Sequence, residues 1–94
     1  MILQSLLHSI TPILKKHSVA HASVFGSFAR GTEQPDSDLD ILVQLPDRTS
    51  LFDVVRLELE LEDKLGRKVD IVTSDTHLHP IIQERILLEQ VVIF

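Results

Sequence analysis

The 94 residues suffice for one α/β domain, taken as a single unit over 1–94, and leave too little chain for a second core, so any acceptor-recognition domain must lie elsewhere. A hydrophobic share of 44% with four Phe, no Trp and no Tyr describes an aliphatic core, and the lack of cysteine excludes disulfides, thiolate metal sites and cysteine nucleophiles. The net charge of −5 argues against broad binding to a nucleic-acid backbone, while a nucleotide carried with Mg²⁺ or a basic protein partner escapes that objection. No secretion signal or membrane-length apolar run is visible, so the expectation is a soluble cytoplasmic protein with no membrane partner.

From Ile2 to Lys16, the residues Ile2, Leu3, Leu6, Leu7, Ile10, Ile13 and Leu14 fall at helical spacing and form one stripe. Pro12 sits inside it, which predicts a kink or a restart capped by Thr11. Val19 to Phe25 is short, apolar and closed by Gly26, as expected of a strand entering a tight turn that continues to Gly31. After a polar stretch, Leu39 to Val43 reads as a second strand beside the first, stopping before Pro46-Asp47.

Leu51 to Leu65 alternates apolar and charged residues with the period of a strand, yet its Leu and Glu content, Ser50 before it and Gly66 after it predict a helix. Glu58 and Glu62 divide its apolar residues into two stripes, one for the sheet and one for the first helix or a partner chain. Lys68 to Thr73 reads as a third strand. Pro80 to Gln90 reads as a helix with Ile81, Ile82, Ile86 and Leu87 at core spacing, and Val91 to Phe94 as a last short strand. His17 with His21, and His77 with His79, lack firm metal-ligand geometry and read as surface or loop residues.

Alternate side chains of a strand share a face, so Asp38 and Asp40 present two carboxylates together, an arrangement suited to a hard cation. An Asp-x-Asp pair alone does not define a site. Asp70 interrupts a third apolar strand, either as an exposed residue, as an ion-pair partner of Arg67 or Lys68, or as a third ligand able to take a proton from an attacking hydroxyl. Gly26 lets the backbone approach a ligand, Ser27 can donate to a phosphate oxygen, and amides opening a short helix at Phe28-Ala29 favour anions. Arg30 is either an ordinary surface arginine or a fork for phosphate oxygens.

The run from Gly26-Ser27 through ten intervening residues to Asp38-Leu39-Asp40, with Asp70 on a later strand, resembles the signature of the DNA polymerase β-like nucleotidyltransferase superfamily. The whole chain looks like a minimal nucleotidyltransferase (MNT) domain. The resemblance implies an α/β (α+β) fold with a small mixed β-sheet and flanking helices, ATP as donor and two Mg²⁺ ions. It implies that Asp38 and Asp40 bind both metals, that Asp70 binds the catalytic metal and activates the acceptor hydroxyl, and that Gly26 and Ser27 hold the β- and γ-phosphates.

MNT domains of this length resemble the antitoxins of HEPN/MNT toxin–antitoxin pairs. That likeness implies transfer of AMP to a tyrosine of a cognate HEPN ribonuclease toxin and a hetero-oligomer with it. Self-modification at tyrosine is excluded, since the chain has none. The alternatives are a binding-only antitoxin that occludes the toxin, and transfer to a small-molecule hydroxyl, for which larger relatives carry an additional domain. Nothing in the chain marks a base-reading pocket.

Overall fold

Burial decides the first helix. In the computed structural model, which describes residues 3–73 and 80–94, α1 spans Leu3–Lys16 and buries Leu6, Ile10 and Leu14, one helical turn apart. Ile2, assigned to the same stripe, lies outside the described residues. The expected restart at Pro12 is not formed: the helix runs through Pro12, and the Thr11 hydroxyl donates to the Leu7 carbonyl at 2.7 Å instead of capping a new start. An internal proline costs roughly 3 kcal/mol. Three side chains buried at roughly 1.5–3 kcal/mol each on one continuous axis outweigh it.

The first strand, β1 (His21–Phe25), begins later than the apolar run suggested. Ser18 adopts a left-handed conformation with φ 61°, its N–H donates to the Lys15 carbonyl, and the Val19 N–H donates to the Leu14 carbonyl at 3.1 Å. Val19 therefore closes the helix in a Schellman arrangement rather than entering the ladder.

A four-residue helix, α2 (Ser27–Arg30), leads through a loop to β2 (Leu39–Gln44), and α3 (Leu51–Leu65) carries the chain to β3 (Val69–Thr73). After α4 (Pro80–Glu89) comes β4 (Val91–Val92). The sheet order is β3-β2-β1-β4; β1 is antiparallel to both neighbours, and β2 and β3 are parallel across the α3 crossover. This is the mixed sheet with flanking helices that the family resemblance implies.

One sheet face carries Ala22, Val24, Leu39, Ile41, Val43 and Val69, which form the core with Leu6, Ile10 and Leu14 of α1 and Leu57 and Leu61 of α3. The alternate residues face the other way; Phe25, Asp40, Leu42, Asp70 and Val72 are only half buried there, while Ser23 is buried. In α4 the core spacing fails. Ile86 is buried, but Ile81 and Leu87 are exposed, and the side chain of Ile82 lies outside the described residues. At 3.6 residues per turn, Leu87 and Ile81 point about 100° and 140° away from Ile86, so a helix buried along one side alone cannot cover all three.

The strand-like alternation in α3 is overridden by its ends. Ser50 Oγ accepts from the Asp53 N–H at 3.2 Å while the Ser50 N–H donates to Asp53 Oδ2 at 3.1 Å, a reciprocal cap, and Gly66 closes the helix with φ 66°. Ser50→Ala should cost about 0.5–2 kcal/mol. For a domain of this size that lowers the unfolding Tm by about 4–8 °C per kcal/mol, measurable by calorimetry.

Candidate active site

The parallel register of β2 and β3 sets Asp40 directly across from Asp70, both on the half-buried face. Asp38 belongs to the same run but sits one residue before β2 rather than inside it. Lys68 Nζ lies 3.9 Å from Asp38 Oδ2, and Arg67 donates to the Ser37 carbonyl at 3.1 Å while its guanidinium stacks on the Phe28 ring at 4.8 Å. Both cations considered as partners of Asp70 are thus engaged elsewhere. Among the described residues, Asp70 has no ion-pair partner.

Burial, then the charges of Asp70 and Asp38, push the Asp40 carboxyl above its ordinary value of 3.8, and Arg30 offsets this only in part. The β1–β2 register pairs Phe25 with Asp40, so the next residue, Gly26, passes directly over that carboxylate. Gly26 has φ 74° and ψ −151°, a region essentially restricted to glycine, and a Cβ built on it would collide with Asp40 Oδ2. The glycine is therefore required twice, by its backbone conformation and by its close approach to Asp40.

Ser27 opens α2, and no side chain caps that helix start. The turn is tied by Arg30 N–H to the Gly26 carbonyl at 3.1 Å and Thr32 N–H to the Ser27 carbonyl at 2.9 Å. Arg30 does not project freely toward the turn: its Nη1 donates to Glu89 Oε2 at 3.0 Å, fastening α2 to the end of α4. Sequence reasoning missed Glu89, whose approach depends on a contact 59 residues away. It also missed a hollow of about 290 Å³ that includes Ser23, Leu42, Gln90 and Phe94 in its lining, where Ser23 Oγ donates to Gln90 Oε1 at 3.0 Å.

The donor chemistry fits a hard divalent cation, since oxygen-only carboxylates that repel one another at close range are what such an ion neutralises. As the side chains stand, no three His, Asp or Glu among the described residues form a ready ligand shell.

A mixed sheet with a glycine–serine turn laid against strand-borne carboxylates defines a nucleotidyl-transfer domain. The family model described as "Polymerase beta, Nucleotidyltransferase" matches residues 8–94, and the chain belongs to that family. It is 46% identical over 91 residues, 97% of each chain, to a Methanocaldococcus jannaschii relative provisionally named a protein adenylyltransferase. A solved structure described as a minimal nucleotidyltransferase is 38% identical, with a TM-score of 0.81, over 97% of this chain and 95% of that one. A chain in a complex of tri-AMPylated Shewanella oneidensis HEPN toxin with MNT antitoxin shares the fold at 18% identity, with a TM-score of 0.76, over 98% of this chain and 71% of that one. Among the described residues, no helix is long and apolar enough to cross a membrane.

Two substitutions test this geometry. Gly26→Ala should destabilise the fold by about 1–3 kcal/mol from backbone strain alone, read by urea unfolding. Asp40→Asn should do the reverse. Because the folded pKa of Asp40 is raised, its stability contribution is complete below pH 3.8 and is lost as pH rises through the folded value. The Asn variant should therefore melt above the wild type at pH 7, by about 4–8 °C per kcal/mol relieved, with the gap closing on acidification.

Proposed function

We propose that this chain is a Mg²⁺-dependent protein adenylyltransferase of the cytoplasm that acts as an antitoxin, moving AMP from ATP onto a tyrosine hydroxyl of a cognate HEPN toxin. The observation that carries the reading is the pair Asp40 and Asp70, side by side on one sheet face beneath the Gly26-Ser27 turn. Near-complete coverage of a relative named for protein adenylylation supports the activity, and the shared fold with an MNT antitoxin complex supports the role.

In this reading Asp38, Asp40 and Asp70 would hold two Mg²⁺ ions, which would supply screening of the phosphate charge and a lowered pKa for the attacking hydroxyl. The Ser27 hydroxyl and the amides of the turn bind the β- and γ-phosphates. Asp70 takes the proton as the acceptor oxygen forms its bond to the α-phosphorus. The α–β phosphoanhydride bond breaks, and pyrophosphate leaves with the electron pair. Arg30 is close enough to ease the charge on Asp40, and with only its Nη1 engaged by Glu89 its remaining N–H groups can donate to a phosphate.

The test is incubation of the purified chain with Mg²⁺, labelled ATP and a HEPN toxin. The expected outcome is label on the HEPN protein, lost on chelation of Mg²⁺, and reduced by about 10²–10⁴-fold in Asp70→Asn. Full inhibition of the HEPN protein by an Asp38→Ala, Asp40→Ala variant, with no label transferred by the wild type, would establish occlusion without catalysis instead.

A further inference from the structure

The junction between α3 and β3 touches both halves of the candidate site. Gly66 ends α3 in the left-handed region with its N–H donating to the Glu62 carbonyl at 2.8 Å, and the chain then runs beside the loop that enters β2. There the Leu39 N–H donates to the Lys68 carbonyl at 3.0 Å, which sets Arg67 against Ser37. Arg67 makes two contacts of unlike kind. Its Nη1 donates to the Ser37 carbonyl at 3.1 Å, and its guanidinium carbon lies 4.8 Å from the centre of the buried Phe28 ring. Ser37 is the residue before Asp38, and Phe28 the residue after Ser27.

Charge attraction does not account for this pose. Glu58 and Glu62 line the same groove as Arg67, yet among the described residues Arg67 forms no ion pair, and Glu62 Oε2 accepts from the Val69 N–H at 3.0 Å. The Arg67 Nε is buried with no hydrogen-bond partner among the described residues, an arrangement that works against stability. The loop between the two halves cannot set their spacing by itself. Residues 31–38 form neither helix nor strand, and apart from the Arg67 contact their hydrogen bonds among the described residues are local: the Thr32 N–H donates to the Ser27 carbonyl, for example, and the Gln34 N–H to Ser37 Oγ at 2.7 Å. Lys68 Nζ reaches the Asp38 end alone. Arg67 reaches both ends.

We infer that Arg67 is a positioning residue for the nucleotide site, fixing the glycine–serine turn relative to Asp38 by stacking on Phe28 and bonding the Ser37 carbonyl at once. The inference rests on the proposed binding of Mg²⁺–ATP between that turn and the carboxylates. A triphosphate that must meet the turn at one end and a carboxylate-held cation at the other depends on their separation, and a displacement of ~1 Å is enough to cost about 100-fold in such a site. Lysine cannot replace the guanidinium here. It brings the same charge as a freely rotating ammonium, with no plane to stack on a ring while its edge donates to a carbonyl.

The experiment titrates the full chain with a non-hydrolysable ATP analogue in the presence of Mg²⁺ by calorimetry, well below the unfolding midpoint of each variant. Label transfer from ATP to a HEPN toxin is followed in parallel. Arg67→Met and Arg67→Lys should each weaken analogue binding by about 10–100-fold. The KM for the toxin should stay unchanged. Phe28→Leu should also weaken binding and should add little in the Arg67→Met background, since both changes break one contact. Arg56→Met, which removes an exposed arginine from α3, should alter neither binding nor transfer.

Full recovery of binding in Arg67→Lys would overturn the inference, since the site would then use the charge and not the geometry. So would wild-type analogue binding in Arg67→Met with a lowered unfolding midpoint, the pattern of a residue that serves stability alone. Weakened binding in both Arg67 variants of a chain that transfers no label upholds the positioning role and sinks the adenylyltransferase reading. Transfer by the wild type and by Arg67→Met at equal kcat and KM does the opposite.

Discussion

Two carboxylates held directly across a parallel strand pair repel each other, and the sheet is built to tolerate that repulsion. Asp40 and Asp70 occupy equivalent positions of β2 and β3 because the residues on either side of each, Leu39 and Ile41 in one strand and Val69 and Ile71 in the other, are drawn into the core beneath them. Slipping the register by one residue would relieve the repulsion but would turn Leu39, Ile41 and Val43 away from the core. Several fully buried aliphatic side chains outweigh one unfavourable charge pair, so the carboxylates stay together.

Much of the surrounding architecture follows from that clash. Gly26 has no side chain because Asp40 occupies the space where one would go, and the turn it permits brings Ser27 and the start of α2 beside the carboxylates. Arg67, stacked on Phe28 and bonded to the Ser37 carbonyl, ties α2 to the loop that delivers Asp38. Lys68 Nζ lies 3.9 Å from Asp38 Oδ2 at the entrance to the same strand pair. In the proposed reaction this unfavourable term is what a divalent cation would relieve, since such an ion neutralises carboxylates that repel one another.

The domain is lopsided in its remaining surface. The α1 side of α3 is closed by Lys16 and His17 on Glu60, and the sheet side by the core, while Leu51, Phe52, Val55 and Leu59 on its outward side are exposed. A domain of 94 residues spends most of its buried surface on a single core.

Local chemistry was legible in the sequence where a residue type has few physical alternatives. Gly26-Ser27, the Asp38–Asp40 spacing, the Ser50 and Gly66 caps and the period of α1 are of this kind, since glycine conformations, strand alternation and capping bonds are settled by near neighbours. Tertiary structure alone decided which groups meet. Lys68 pairs with Asp38 rather than Asp70, Arg30 is fastened to Glu89, Asp40 is set across from Asp70, and α1 stays whole through Pro12. Each of these outcomes depends on burial summed over elements distant in the chain, and no local pattern carries that sum.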